Sequence, residues 1–371
     1  KVFYLGVDCS SDSLTVGNLA VLVLARRLID AGWKTILLVG GATSLIGDPG
    51  GKEEERQLQS REDVTRNVEA ISTQIKKLFG SKEFTLVDNY DWFKDISYLD
   101  FLRDVGKNFS MTELLQRDFI TERMGEGASG ISYAEFSYSL IQGYDYWYLH
   151  KNNDVSLQIG ASDQWGNMLS GVSLIRKKEA KETHAFSMPL VIDKTTGKKF
   201  GKSEAGAVWL DPAKTTPTQF YQFWINTDDA SIDDYLKYYS LKSKEEIEQL
   251  VAAQKANPAA RTAQTALAEE LTQLVHGGES SNQSQSVTKY LTSQASISEA
   301  GADELEKIRQ QVPSFTTNIG GPIIEALVQT KLAVSNSDAR RLLQSGAVYI
   351  NGQNVSREVF EAGDFQNGRL L

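Results

Sequence analysis

The sequence predicts an α/β protein: a parallel sheet with an inserted helical segment, then an α-helical domain and a small α+β unit. Over residues 1–91, short apolar runs alternate with amphipathic helical stretches, the pattern of βαβ units. The pattern is helical over 98–150, returns to strands, and is helical again after the prolines of "LDPAKTTP". Residues 321–371 combine two short helices with a hairpin pattern.

The predicted sheet strands are apolar throughout, as expected for parallel strands that helices cover on both faces. The first three predicted strands are "VFYLGV", "KTILLVGG" and "FTLVDN". The helices predicted between them are "LAVLVLARRLIDAG" and "VTRNVEAISTQIKKLF". "LQIGASD" and "MPLVID" are predicted as further strands, so the helical stretch before them is an insertion in one α/β domain.

The second half of the chain is predicted to be helical, with polar interruptions. Two polar stretches, "GGESSNQSQS" and "SQASISEAGA", are predicted as loops or linkers. In the last unit, Ser335 or Ser337 is predicted to cap the second helix, and Asn351-Gly352 indicates a type I′ hairpin turn. Four parts are predicted: an α/β domain, a helical domain, a linker and a C-terminal domain, at residues 1–217, 218–296, 297–320 and 321–371.

Composition excludes several classes of protein. The sequence contains no run of eighteen apolar residues, so no transmembrane helix is predicted. The first residues, "KVFYLGVD", lack the features of a signal peptide. The single cysteine, Cys9, excludes an internal disulfide framework, so we expect a reducing cytoplasm. The three histidines are too scattered to predict a metal site. A net charge of −9 argues against general electrostatic binding of nucleic acid but permits a local basic surface.

The stretch "YLGVDCSSDSLTVGNLAVLVLARRL" predicts a strand, a polar turn and a helix. Gly17 lies near the helix start, where free backbone N–H groups favour an anion, and Ser10, Thr15 and Asn18 add neutral hydrogen-bonding groups. The turn contains no lysine, arginine or histidine. An ordinary βα turn has the same pattern, so the pattern alone leaves both interpretations open.

A glycine-rich turn follows the second predicted strand in "VGGATSLIGDPGGKEEER". Its Asp48 could hold an ammonium group, and Lys52 and Arg56 could hold phosphate. The alternative is a solvated turn whose charged residues pair with one another along a helix.

Polar side chains recur in two further places. On a helix, Tyr138, Gln142 and Asp145 share one face, where a buried glutamine and aspartate suggest a ligand. In "LQIGASDQWGN", Gly160 permits close backbone approach. Polar residues then follow the carboxyl end of a strand, where open α/β sheets bind ligands. These polar residues are Asp163, Gln164 and Asn167.

A glycine-containing loop, "TGKKFGKSEAG", carries Lys199 and Lys202 on either side of Gly201. Two lysines on such a loop suit a polyphosphate whose charge shifts during reaction. A solvated lysine cluster is the alternative.

Taken in order, five segments resemble class I aminoacyl-tRNA synthetases, specifically the tyrosyl-tRNA synthetase family of bacterial or organellar type. These segments are "GGATSLIGDP", "EFSYSLIQGYDY", "LQIGASDQWGN", "KFGKS" and "AVWLDPAKTTPTQFYQFWINTDD". The resemblance covers essentially the whole chain. It implies a Rossmann-like catalytic domain, an anticodon-binding helical domain and an RNA-binding domain of the α-L type. It further implies ATP-dependent ligation of L-tyrosine to tRNA(Tyr) through a tyrosyl-adenylate.

The resemblance implies a role for each candidate residue. It assigns Tyr4 and Asp145 to the phenolic hydroxyl, with Gln164 near the carboxylate. The family's ammonium site corresponds to Asp48, Tyr138 and Gln142. The ATP site corresponds to Asp8, Gly17, Gly160, Asp163, Lys199, Lys202 and Ser203. Around the departing pyrophosphate the resemblance assigns Lys52, Arg56, Lys199 and Lys202, with Ser10, Thr15 and Asn18 on the opening turn. The resemblance also implies Mg²⁺ bound to the phosphates. It implies a homodimer whose interface is formed by residues 108–148.

Part of the opening turn departs from the family. A His-x-Gly-His motif is usual where this chain has Thr15-Val16-Gly17-Asn18, Ser10 replaces a threonine and Cys9 replaces a proline. Losing one transition-state donor costs on the order of a hundredfold in rate. One alternative is therefore a paralogue that activates tyrosine weakly and acts by binding tyrosine or RNA. A tryptophan enzyme is disfavoured, because Tyr4 and Asp145 form a hydroxyl-specific pair.

Overall fold

The computed structural model describes residues 1–49, 58–124, 130–197, 200–203, 206–292, 297–366 and 368–371. The chain forms two compact units. The first, unit 1, comprises Lys1–Lys214 and Thr227–Ala263, and the second, unit 2, comprises Thr215–Asn226 and Gln264–Leu371.

The strands of the described chain are β1 Val2–Asp8, β2 Lys34–Gly40, β3 Thr85–Asp88, β4 Val155–Ala161, β5 His184–Met188, β6 Lys202–Ser203, β7 Gly206–Ala207, β8 Tyr349–Ile350 and β9 Gln353–Asn354. The first twelve helices are α1 Val16–Asp30, α2 Gly41–Ile46, α3 Arg61–Phe79, α4 Tyr90–Phe93, α5 Tyr98–Asp104, α6 Met111–Leu115, α7 Asp118–Met124, α8 Tyr133–Asn153, α9 Trp165–Glu179, α10 Pro217–Ile225, α11 Ile232–Tyr239 and α12 Lys244–Ala256. The remaining helices are α13 Thr262–His276, α14 Gly278–Leu291, α15 Ala302–Gln311, α16 Ile323–Gln329 and α17 Asn336–Gln344.

Unit 1 is built on a five-stranded parallel sheet, which confirms the predicted fold class. Its strand order is β3-β2-β1-β4-β5. The strand order reverses between β1 and β4, and a crevice at such a switch point is where open α/β sheets bind ligands. In the register of these two strands, Tyr4 pairs with Gln158. The switch point therefore positions the site.

Two local predictions for unit 1 were wrong. The fifth strand is His184–Met188, just before the predicted "MPLVID". Pro189 lacks an N–H group and cannot extend the ladder. The first part of the predicted glycine-rich turn after β2, Gly41–Ile46, is instead the short helix α2, which packs against the sheet through buried Thr43 and Ser44.

Unit 1 also contains a segment beyond the predicted domain boundary at 217. Residues 227–263 belong to it because α11 packs on α1. The guanidinium of Arg27 donates to the carbonyl oxygens of Lys237, at 2.8 Å, and of Ser240. Such contacts across two hundred residues of chain leave no local sequence signal.

In unit 2, the predicted loop "GGESSNQSQS" is instead part of the helix α14. Its small polar residues pack against α10, where Thr218 Oγ1 donates to Ser284 Oγ at 3.4 Å and Gln222 Nε2 donates to Thr288 Oγ1 at 2.6 Å. Polar composition was a poor guide because these side chains find partners on a neighbouring helix. Part of the predicted linker, at 302–311, is also helical.

The C-terminal part of unit 2 follows the sequence prediction closely. Ser335 caps α17 and accepts from the Asp338 N–H. Strands β8 and β9 pair antiparallel, and Asn351 and Gly352 have φ angles of 50° and 80°, as a type I′ turn requires.

Candidate functional site

A cavity of about 510 Å³ lies at the switch point of the sheet, along β1 and β4 and against α8. Most of the predicted site residues line it. These are Tyr4, Asp8, Ser10, Thr15, Gly17, Asn18, Asp48, Tyr138, Gln142, Asp145, Gly160, Asp163 and Gln164. Residues from distant parts of the chain thus meet in one place.

Two buried polar atoms in this cavity have no hydrogen-bond partner within the described chain. They are Tyr4 Oη and Gln158 Oε1, on residues that are 1% and 2% exposed. Burial, followed by the charge of Asp145, raises the pKa of Tyr4, so its phenol stays neutral. An unsatisfied buried polar atom costs about 1–3 kcal/mol, and a ligand that supplies the missing partner recovers part of that cost.

Asp145 is a buried carboxyl on α8 that two side chains hold in place. Asn89 Nδ2 donates to its Oδ2 at 3.1 Å, and Trp92 Nε1 donates to its Oδ1 at 2.9 Å. Burial raises the pKa of Asp145 to about 8, despite these two donors, and the charges of Asp8 and Asp88 add to the rise. Burial therefore imposes a free-energy cost on the ionised form of this carboxyl group.

The raised pKa of Asp145 makes a stability prediction. From its ordinary pKa of 3.8 up to about 8, the folded protein holds a proton that the unfolded chain releases. Stability from this group therefore falls as pH rises through that window. We expect the melting temperature of Asp145→Asn, minus that of the unsubstituted protein, to become more positive from pH 5 to pH 8. Thermal denaturation across this range measures it, and a difference that stays constant or falls with pH would contradict the assignment.

A second hydrogen-bonded chain joins β1, α2 and α8. Tyr138 Oη donates to Asp8 Oδ2 at 2.7 Å, and Thr43 Oγ1 donates to Asp8 Oδ1 at 2.7 Å. Burial, followed by the charges of Asp8 and Asp48, raises the pKa of Tyr138. Three oxygen-bearing side chains with excess negative charge favour a bound cationic group.

Asp48 lies at the same end of the cavity. It is 8% exposed, and its Oδ2 accepts from Gln164 Nε2 at 2.6 Å. The Oε1 of Gln164 in turn accepts from Asn167 Nδ2 at 3.1 Å, which orients the amide. Asp48, Asp8 and Tyr138 together make this the acidic end of the cavity.

The start of α1 borders the other end. Asn18 Oδ1 accepts from the Thr15 backbone N–H at 3.0 Å and from Thr15 Oγ1 at 2.9 Å, so the two side chains cap the helix together. Gly17 and Asn18 are exposed there. An anion could bind at this helix end through backbone N–H groups.

The segment after the predicted lysine loop is attached to the start of α1. The Val16 N–H donates to the Val208 carbonyl at 2.9 Å, and the Leu210 N–H donates to the Leu14 carbonyl at 2.8 Å. The Val208 N–H donates to the Gly201 carbonyl at 3.0 Å, which brings Gly201 to the same place. Gly201, which lies between the two predicted lysines, and Val208, just after the loop, therefore lie beside the helix start.

The side chains of the predicted cationic residues are not among those that the structure describes. Lys52, Arg56 and Lys199 lie outside the described residues, and the side chains of Lys202 and Ser203 are not described. Asp163 is exposed at the rim of the cavity, directly after β4.

Sequence reasoning missed four residues of the site: Thr43, Asn89, Trp92 and Gln158. Asn89 follows the carboxyl end of β3, the kind of position that directed attention to Asp163, so a signal for it existed. Gln158 is, with Ser156, one of two polar residues in the otherwise apolar strand β4, which was a second usable signal. Trp92 and Thr43 reach the site only through tertiary packing.

Family comparison supplies the class of protein that this fold and cavity define. Residues 1–292 match the model described as tRNA synthetases class I (W and Y). Residues 304–366 match the model for the tyrosine–tRNA ligase SYY-like C-terminal domain. The parallel sheet of unit 1 lies within the first match, so the chain is a class I tRNA synthetase.

Individual relatives narrow the assignment. The tyrosine–tRNA ligase of Listeria welshimeri is 44% identical over 369 residues, covering 97% of this chain and 87% of the relative. Tyrosine–tRNA ligase 2 of Bacillus cereus is 45% identical over 359 residues, covering 95% and 84%. The structure of a C-terminally truncated mitochondrial tyrosyl-tRNA synthetase of Aspergillus nidulans superposes with a TM-score of 0.68 at 30% identity, covering 78% of this chain and 85% of that one. The chain belongs to the tyrosine–tRNA ligase family.

Proposed function

We propose that the switch-point cavity is where this ligase forms tyrosyl-adenylate from L-tyrosine and ATP, before transferring the tyrosyl group to tRNA(Tyr). The observation that carries the proposal is that Tyr4 and Asp145 line the same cavity and that the buried hydroxyl of Tyr4 lacks a described partner. A phenol can donate to Asp145 while it accepts from Tyr4. Phenylalanine would leave the Tyr4 hydroxyl without this partner and would offer no donor to Asp145.

The acidic end of the cavity suits the other end of the amino acid. Asp48, Tyr138 and Gln142 are assigned to the α-ammonium group, because Asp48 is buried and Tyr138 is bonded to a second carboxylate. Gln164 is assigned to the region of the carboxylate. Its bond to Asp48 couples the two positions.

ATP is assigned to the part of the cavity that borders the start of α1, and it shares Asp8 with the acidic end. Gly160 permits close approach of adenosine, Asp163 is assigned to the ribose, and Asp8, Gly17 and Ser203 complete the site. The cations proposed for pyrophosphate are Lys52, Arg56, Lys199 and Lys202. Ser10, Thr15 and Asn18 add neutral donors at the start of α1, where the helix dipole favours phosphate.

Mg²⁺ is proposed to enter with the nucleotide, as MgATP. Across the described parts of the chain there is no group of three or more His, Cys, Asp or Glu side chains that could hold a metal ion. Since phosphate oxygens are good Mg²⁺ ligands, the substrate itself can carry the ion.

The activation step needs no general base. Tyrosine's carboxylate is already anionic, so one of its oxygens attacks the α-phosphorus of ATP in line and pyrophosphate leaves. A terminal ribose hydroxyl of tRNA then attacks the carbonyl carbon of the adenylate, and AMP leaves. The protein contributes positioning and charge stabilisation.

The wider assignments are also proposals. The helical and C-terminal domains are proposed to contact tRNA, and residues 108–148 to form a homodimer interface. A cytoplasmic location is proposed from the sequence. None of the helices in the described chain is both long and apolar enough to span a membrane.

The experiment is tyrosine-dependent ATP–pyrophosphate exchange, run beside phenylalanine and beside two Thr15 variants. We expect exchange with tyrosine and almost none with phenylalanine. Thr15→His adds a donor and should raise the rate on the order of tenfold to a hundredfold. Thr15→Ala, which loses the contact with Asn18 and adds no donor, controls for damage to the helix start.

Exchange that phenylalanine supports as well as tyrosine does would overturn the proposed site. A failure of the protein to bind tyrosine at all would overturn it too. Tyrosine binding without exchange, restored by Thr15→His, would favour the weakly activating paralogue. If Thr15→His raises the exchange rate and Thr15→Ala does not, the lower rate of the unsubstituted protein is due to the missing donor.

A further inference from the structure

One aromatic contact near the cavity has no role in the proposed chemistry. The ring of Phe200 stacks on Tyr235, with centroids 4.1 Å apart and planes at 29°, and the centroid of Tyr239 is 6.0 Å away. Tyr235 and Tyr239 are 1% and 0% exposed. Phe200 therefore rests on a buried pair of rings, which we call the α11 platform (Tyr235 and Tyr239).

The α11 platform is attached to the same helix that borders the cavity. Arg27 of α1 donates to the carbonyl oxygens of Lys237 and Ser240 at the end of α11. Stacked aromatic rings attract one another beyond the effect of the area they bury, so the stack restricts Phe200 relative to α1.

The residue that follows Phe200 meets the start of α1 directly. Gly201 has a φ of 101°, and a Cβ at that position would lie 3.1 Å from the Gly17 backbone nitrogen. The Phe200 N–H donates to the Val191 carbonyl at 2.9 Å, and Phe200 itself lines the cavity. Phe200 and Gly201 are thus held between the α11 platform and the proposed phosphate end of the cavity.

We propose that Phe200 is a positioning residue for the phosphate chemistry, acting through its stack on the α11 platform. The inference rests on the proposed function, because it assumes that the loop lysines stabilise the departing pyrophosphate. Without the stack, the backbone beside Gly17 samples more conformations, and a displacement of about 1 Å can cost on the order of a hundredfold in rate. Tyrosine binds at the other end of the cavity and is unaffected.

The test is steady-state ATP–pyrophosphate exchange with Phe200→Leu, which removes the ring and keeps an apolar side chain. We expect kcat to fall on the order of tenfold to a hundredfold, while the dissociation constant for tyrosine, from equilibrium dialysis, is unchanged. Phe200→Tyr keeps a ring and should restore most of the rate. Phe186→Leu, which removes a half-exposed ring on β5, is the matched control and should keep the normal kcat.

Tyr235→Leu tests the other side of the contact. It should lower kcat about as much as Phe200→Leu does, and the double variant should lose little more, because both changes remove one contact. Retained tyrosine binding shows that each variant is folded. A normal kcat in Phe200→Leu, or strictly additive losses in the double variant, overturns the inference alone. A complete lack of exchange by the unsubstituted protein overturns the proposed function instead.

Discussion

Replacing Asp145 with Asn is expected to lower kcat/KM for tyrosine in the exchange reaction on the order of a hundredfold, while that for phenylalanine hardly changes. The phenol of tyrosine loses a carboxyl acceptor, and the amide offers one acceptor oxygen where the carboxyl group has two. Trp92 already donates to one carboxylate oxygen and Asn89 to the other. Phenylalanine has no hydroxyl that could bond to residue 145, so its kcat/KM should not depend on that side chain.

The matched control for this change is Asp91→Asn, which removes an exposed acid near Trp92 that does not line the cavity. It should leave both substrates unaffected. Equal losses for tyrosine and phenylalanine in Asp145→Asn would point to a damaged cavity and would contradict the phenol assignment. The variant should gain stability relative to the unsubstituted protein as pH rises, since burial of the Asp145 carboxylate is costly.

Replacing Asp48 with Asn should lower kcat/KM for tyrosine by a comparable amount, on the order of a hundredfold or more. A buried charge paired with an ammonium group is the reason, since losing one partner of such a pair costs about 2–5 kcal/mol. Asp48 is buried, and Gln164 holds one of its oxygens. Steady-state exchange against tyrosine concentration measures the effect.

A substrate analogue provides the control for Asp48. 3-(4-Hydroxyphenyl)propionate lacks the ammonium group, so Asp48→Asn should bind it no more weakly than the unsubstituted protein does. Competition dialysis against tyrosine measures this binding. If Asp48→Asn weakened the binding of tyrosine and of the analogue by the same factor, Asp48 would not be the partner of the ammonium group.

The sequence predicted the parts of the site that lie on single elements. Tyr138, Gln142 and Asp145 follow a helical spacing, and α8 does bring all three to the cavity. Asp163 and Gln164 follow the end of an apolar strand, where switch-point ligands bind. Both predictions needed only the local period of the chain and the general rule for parallel sheets.

The partners of these residues were beyond such reasoning. Asp145 is held by Asn89 and Trp92, more than fifty residues earlier, and Tyr138 donates to Asp8 across 130 residues. Hydrogen bonds of this kind depend on how helices pack on the sheet. The pKa of Asp145 follows from that packing and could not be predicted from its neighbours in sequence.

The central claim is that the phenol of tyrosine lies between Tyr4 and Asp145. The most direct measurement is a crystal structure of the protein with L-tyrosine bound. We expect the phenolic oxygen within about 3.2 Å of both Tyr4 Oη and a carboxylate oxygen of Asp145, the ordinary range for a hydrogen bond. A bound tyrosine whose hydroxyl contacts neither residue would contradict the claim.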